Sequence, residues 1–127
     1  MSNSAKKIVL LVEDDETISS FMRLFLVGAG YEVFSARDGL EALSMATNYK
    51  PDVIITDLAM PRMDGIRLIR ELKQRPEKEL KTVPVIGVSG AAEALQVQAI
   101  SAGALVVLKK PIHRRTLLET VANALKK

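Results

Sequence analysis

Five side chains in this chain of 127 residues could together hold a hard cation and handle a phosphoryl group. They are the carboxylates of Glu13, Asp14 and Asp57, the hydroxyl of Ser89 and the ammonium of Lys110. Each stands where an apolar run ends. Ile8-Val9-Leu10-Leu11-Val12 leads into Glu13-Asp14, and Val53-Ile54-Ile55-Thr56 leads into Asp57. Val85-Ile86-Gly87-Val88 leads into Ser89, and Leu105-Val106-Val107-Leu108 leads into Lys109-Lys110-Pro111. If these runs are parallel strands of one sheet, their C-terminal ends share an edge. Open α/β sheets bind ligands in the crevice outside that edge.

Each candidate also has a plainer reading. Asp14 or Asp15 could cap the helix that follows the first strand. Capping needs one such residue, however, and Glu13, Asp14, Asp15 and Glu16 stand together. Acids packed this densely repel unless a cation shares the site. Asp57 could be a turn former. Downstream, Met60-Pro61-Arg62-Met63-Asp64-Gly65 builds a rigid loop in which Pro fixes φ and Gly frees the backbone before a helix. Such a loop can turn its carbonyls toward a cation. Mg²⁺ prefers octahedral oxygen ligands and keeps several waters, so one or two carboxylates and a carbonyl suffice. Asp14 and Asp57 are the leading ligand candidates, with Glu13 acting through a water. Ser89, beside the small Gly90 and Ala91, is either a helix cap or a hydroxyl donor to a phosphoryl oxygen. Lys110 rather than Lys109 is the candidate phosphate cation, because it precedes Pro111 at the sheet edge, where a fixed point charge is useful. Sequence raises a cis bond at Lys110–Pro111 without deciding it.

The elements that must position these groups alternate. Ile18, Phe21, Met22, Phe25 and Leu26 recur at helical spacing, and Gly28 and Gly30 end that helix. Residues 32–36 read as a short edge strand of mixed polarity. Asp38-Gly39 opens a helix with Leu40, Leu43 and Ala46 on its apolar face. The run after Pro51 reads as a fully buried strand. Residues 65–74 place Ile66, Ile69 and Leu72 on one helical face, and residues 75–82 read as a polar loop. Residues 91–102 are helical by propensity with a weak apolar face. Leu117, Leu118, Val121, Ala122 and Leu125 mark the last helix. Five βα units predict a doubly wound α/β fold, flavodoxin-like, with a parallel five-stranded sheet in the order 2-1-3-4-5.

Composition narrows the function classes. Hydrophobic residues make up 48% and charged residues 26%, an ordinary globular balance. There is no Cys and one His, which excludes disulfides, thiolate metal sites and His-cluster metal centres. The apolar run before Glu13 is too short for a signal peptide or membrane span, so a cytoplasmic protein with no membrane partner is expected. The net charge of +3 is concentrated in Lys109, Lys110, Arg114, Arg115, Lys126 and Lys127. Such a run is usually a solvated face. Without interleaved aromatics it does not suggest direct nucleic-acid binding. No linker or repeat interrupts residues 1–127, which read as one domain. Met1 and the end just past the last helix suggest a whole protein.

Val12-Glu13-Asp14-Asp15, the run from Asp57 through Met60-Pro61 to Asp64-Gly65, Ser89-Gly90-Ala91 and Lys110-Pro111 occur in order, each at the end of a predicted strand. In this the chain resembles the receiver domains of bacterial two-component response regulators, from Lys7 to Lys126. The resemblance is to the stand-alone, chemotaxis-receiver-like kind. It implies that Asp57 is the phosphoacceptor, receiving a phosphoryl group from the phosphohistidine of a histidine kinase or phosphotransfer protein. It further implies Mg²⁺ on Asp14, Asp57 and the Ala59 carbonyl, with Lys110 and Ser89 on phosphoryl oxygens. Phosphorylation would then switch the surface of the fourth helix, fifth strand and fifth helix for an unidentified downstream protein or a weak dimer. The implied protein is a signalling protein, not a conventional enzyme, although it could catalyse its own phosphorylation from small donors and its own dephosphorylation.

Some positions depart from the family pattern. Val107 stands three before Lys110, where receivers usually carry an aromatic residue, and Ile112 stands where one is common. Leu105 and Val106 replace residues that are often polar. Ala59 and Ala91, which flank the reaction centre, offer no side chain to orient or block water. The output face, with Ala91, Ala92, Ala94, Leu95, Ala99, Ala104 and Leu105, is expected to be more apolar than usual. It serves either core burial or docking. A competing function is a phosphorylation-independent docking module on the same fold. A phosphatase using an Asp-x-Asp loop fits poorly because position 59 is Ala. A flavin site fits poorly because the first loop offers acids where a phosphate cradle needs backbone donors.

Overall fold

The computed structural model describes residues 6–60, 62–90 and 93–126. Five strands form one parallel sheet: β1 (Ile8–Val12), β2 (Glu32–Ala36), β3 (Val53–Asp57), β4 (Val85–Ser89) and β5 (Val106–Lys109), in the order β2-β1-β3-β4-β5. The helices are α1 (Glu16–Gly28), α2 (Gly39–Tyr49), α3 (Gly65–Lys73), α4 (Lys78–Thr82), α5 (Glu93–Ala102) and α6 (Arg114–Ala124). β1 and β3 lie inside the sheet and are covered on both faces, which is why they are apolar without alternation. Strand side chains alternate between two clusters. Val9, Leu11 and Ile55 pack with Met22 and Leu26 of α1 and Leu117 and Val121 of α6. Leu10, Val12 and Ile54 pack with Ala42 and Ala46 of α2, Leu68, Ile69 and Leu72 of α3 and Ala99 of α5. The predicted doubly wound topology is therefore observed.

Aspartates start three of the helices that follow strands. Asp15 caps α1 by accepting from Ile18 N–H, Asp38 caps α2 from Glu41 N–H, and Asp64 caps α3 from Arg67 N–H. Each cap stabilises its helix by about 1 kcal/mol. These caps fix where each loop ends, and so where the preceding strand delivers its terminal residue.

Several local expectations are corrected. The region read as a polar loop contains the short helix α4, whose Leu80 is buried and anchors it to the core beneath α3. One buried leucine in a charged segment leaves no periodic signal. Leu40 is 52% exposed, and α2 is buried instead through Gly39, Ala42 and Ala46, because small residues let it approach the sheet closely. β5 begins at Val106, which leaves Leu105 outside the strand and exposed. Ala99 and Ala104 are buried, whereas Ala94 is exposed and Leu95 half-buried. Pro61, Ala91 and Ala92 lie outside the described residues. Val107 is half-buried against the α2–α3–α5 side of the core. The Lys110–Pro111 bond is cis. Among the described residues no helix is long and apolar enough to cross a membrane.

Candidate functional site

Asp57 ends β3 and is 6% exposed. Its neighbours are set by the ladder: β1 lies on one side and β4 on the other, with Asp57 opposite Val88. The chain then turns sharply. Thr56 Oγ1 donates to the Asp57 carbonyl (2.9 Å), Leu58 N–H donates to Val88 O (3.0 Å), and Ala59 N–H donates to Asp57 Oδ1 (3.3 Å). Gly65 is required here: a Cβ at that position would lie 2.2 Å from the Asp57 carbonyl oxygen. Glu13 and Asp14 leave β1 beside it. Glu13 N–H donates to Ala36 O (3.0 Å), and its carboxylate accepts from Asp15 N–H (3.1 Å). Carboxylate oxygens of Glu13, Asp14 and Asp57 all lie within 4.8 Å of one another; Asp14 is exposed and the other two are buried.

Lys110 reaches this cluster from the end of β5. Its backbone N–H donates to Ser89 O (2.9 Å), which fixes its start on β4. Its Nζ donates to Asp57 Oδ2 (3.1 Å) and lies 3.4 Å from Glu13 Oε1. Ser89 is buried at the end of β4, one residue past the partner of Asp57. Lys109, by contrast, is exposed. All five side chains singled out in the sequence are therefore brought to one edge.

The electrostatics follow from burial and charge count. Desolvation is the main cause that raises the Glu13 carboxyl to about 7; the Asp15 N–H and the Lys110 ammonium pull it down, and the Asp57 charge adds to the rise. Burial pulls the Lys110 ammonium down, but its hydrogen bond to Asp57 and the charges of Asp57 and Glu13 outweigh this and hold it above the ordinary lysine value. One ammonium faces three carboxylates, which leaves negative charge uncompensated in a pocket of oxygen donors only. That donor chemistry fits a hard divalent cation such as Mg²⁺.

Two residues near the site were not visible as such in the sequence. Asp38 is 2% exposed, and Arg62, which lies in the β3–α3 loop, pairs with its Oδ2. Asp38-Gly39 reads as an ordinary helix start, and Arg62 as a solvated loop residue. No spacing links them across 24 positions.

An acidic, lysine-closed pocket at the C-terminal edge of a doubly wound sheet defines a class of phosphoryl- or cation-binding α/β domains. A family model for the response regulator receiver domain matches residues 9–122, and the chain belongs to that family, which acts in two-component signalling. Over 120 residues it is 33% identical to the polar-differentiation response regulator DivK of Brucella anthropi, covering 94% of this chain and 96% of that one. Its structure is similar to that of the chemotaxis response regulator CheY4 of Vibrio cholerae (32% identity, TM-score 0.87, 95% of this chain and 100% of the other). It also resembles a chain of the CheX–CheY–BeF3–Mg complex of Borrelia burgdorferi (26% identity, TM-score 0.86, 95% and 90% coverage).

Proposed function

We propose that this chain is a phosphoacceptor in which Asp57 takes a phosphoryl group from the phosphohistidine of a histidine kinase or phosphotransfer protein. The observation that carries the reading is the Asp57 carboxylate, held 3.1 Å from Lys110 Nζ with Glu13 and Asp14 oxygens within 4.8 Å. An Asp57 carboxylate oxygen forms the new O–P bond as the P–N bond to the donor imidazole breaks, and the product is an acyl phosphate. Asp14, Asp57 and the Ala59 carbonyl would hold Mg²⁺, with Glu13 acting through a water. When bound, Mg²⁺ supplies charge neutralisation at the phosphoryl oxygens. Lys110, already charged and aimed at Asp57, takes one phosphoryl oxygen. Ser89 donates its hydroxyl to another.

The surroundings support a protein donor. Beside Lys110, a groove of about 430 Å³ runs between α1 and the β5–α6 turn, lined by Ile18, Phe21, Phe25, Pro111 and Ile112. Its apolar walls suit a helical partner that presents its histidine to Asp57. The output surface is α5–β5–α6, where Val97, Ile100 and Leu105 are exposed and available to a downstream protein or a second copy of the chain. Residues 1–127 act as a single receiver domain. On this reading the chain acts in the cytoplasm.

The test is intact mass after incubation with Mg²⁺ and acetyl phosphate. Wild type should gain one phosphoryl group and Asp57→Asn none, with both proteins folded. The same adduct on Asp57→Asn would move the acceptor elsewhere. Partner binding that is equal with and without phosphorylation would favour a docking module instead.

A further inference from the structure

The loop between β3 and α3 is tied at both ends. At its base, Gly65 N–H donates to Leu58 O (3.2 Å). At its tip, Gly39 N–H, in the first turn of α2, donates to Met63 O (3.0 Å). The two chains meet so closely there that a Cβ on Gly39 would lie 2.3 Å from that oxygen. Beside this contact Arg62 pairs with Asp38 Oδ2. The other oxygen of Asp38 is already used: Oδ1 accepts from Glu41 N–H at 2.9 Å. Arg62 itself sits at φ 65°, a left-handed conformation that disfavours any residue bearing a Cβ. Its surroundings must therefore hold it there.

Ala59 lies between these two ties, three residues before Arg62, and its N–H is directed at Asp57 Oδ1. We infer that Arg62 is a positioning residue for the cation site: its pairing with Asp38 anchors the β3–α3 loop to the start of α2 and so fixes the Ala59 carbonyl. The inference rests on the proposed Mg²⁺ site and adds a residue outside it. Arg62 touches neither the ion nor the phosphoryl group. Its side chain is 66% exposed but that of Asp38 is 3% exposed, so Arg62→Ala also leaves a buried carboxylate without its cation and costs some stability, whereas Asp38→Asn leaves no stranded charge. Weakened cation affinity shared by both variants, whatever the change in unfolding midpoint, is therefore the readout of positioning.

The test is a Mg²⁺ titration of the unphosphorylated full chain, followed by backbone amide NMR shifts, with thermal melting alongside. Wild type and Asp14→Asn establish the site itself. No Mg²⁺ response in wild type, or an unchanged one in Asp14→Asn, overturns the cation reading and this inference with it. Given a working site, Arg62→Ala and Asp38→Asn should each weaken Mg²⁺ binding about threefold to tenfold, at or below the tenfold lower bound typical of outer contacts at metal sites. Asn caps helices as well as Asp, so Asp38→Asn keeps the α2 cap. The double variant should bind no more weakly than either single one, because both remove one interaction. Arg62→Gly separates pairing from backbone shape, since glycine accepts φ 65° freely. It should bind as weakly as Arg62→Ala, while Arg62→Lys should recover part of the loss. Affinities within about twofold of wild type in Arg62→Ala and Arg62→Gly, with Asp14→Asn impaired, overturn the inference.

Discussion

At the scale of single residues, the site is a balance between burial and charge. Glu13 is 3% exposed, and its carboxyl titrates near 7 in the folded chain against an ordinary value of 4.5. Between these values the folded state holds a proton that the unfolded state has released. Unfolding free energy therefore falls as pH rises through this window, the reverse of the usual carboxylate case. Lys110 stands above the ordinary lysine value, so it remains charged across the same range and does not account for the slope. In the absence of divalent cations, the urea midpoint of wild type relative to Glu13→Gln should decline between about pH 5 and about pH 8. A pH-independent difference would assign the slope to other groups. Val107 makes a second residue-scale point. Where an aromatic ring was the family expectation, the valine is half-buried against the core, and a Cβ on Gly87 would come within 3.3 Å of its Cγ2. A small side chain packed in this way has no ring to rotate between inside and outside. Any coupling to Ser89 must run through backbone and packing.

At the scale of elements, the strands supply position and the loops supply direction. Each aspartate cap ends a loop one residue before a helix, so the turn after Asp57 is bounded by Gly65 on the helix side and by the sheet ladder on the other. The tightness of that turn is testable. Gly65→Ala would force a Cβ to within 2.2 Å of the Asp57 carbonyl oxygen, a backbone atom that cannot step aside. Overpacking of this kind costs about 1–3 kcal/mol. The midpoint of chemical unfolding should fall accordingly, and the proposed phosphorylation of Asp57 should slow because the carboxylate is displaced. An unchanged midpoint would mean that the loop relaxes without loss. α4 belongs to this scale too: its Leu80 enters the core while Lys73 donates to the carbonyls of Lys81 and Val83, leading the chain into β4.

For the whole molecule, stability is unevenly distributed. β1, β3 and β4 are buried along nearly their whole length, whereas α5 buries only Ala99 among its described side chains and exposes Val97 and Ile100. Elements with few buried contacts open first. Amide hydrogen exchange of the unphosphorylated chain should accordingly show α5 exchanging well before α3 and the central strands. Protection of α5 equal to that of β3 would contradict this. The same unevenness suits the proposed output: a sparsely buried helix lies on the surface that the proposed switch would remodel, while Glu13, Asp57 and Ser89 stand at the ends of deeply buried strands.

The apolar runs ending in Glu13, Asp57, Ser89 and Lys110 determined the parallel sheet and its functional edge without any tertiary information. Fully buried strands must be apolar throughout, and a polar residue at such an end needs a reason to be there. The short edge strand β2 and the starts of most helices were legible for the same local reasons. Tertiary structure decided the rest. That α2 packs through Gly39, Ala42 and Ala46 rather than Leu40 depends on how near the helix comes to the sheet, which periodicity does not encode. The burial of Asp38 and its pairing with Arg62 depend on two loops meeting across the sheet edge. The raised carboxyl of Glu13 depends on the neighbours that desolvate it. Local spacing carries periodicity and termini; contacts between distant segments, and the electrostatics they create, exist only once the chain has folded.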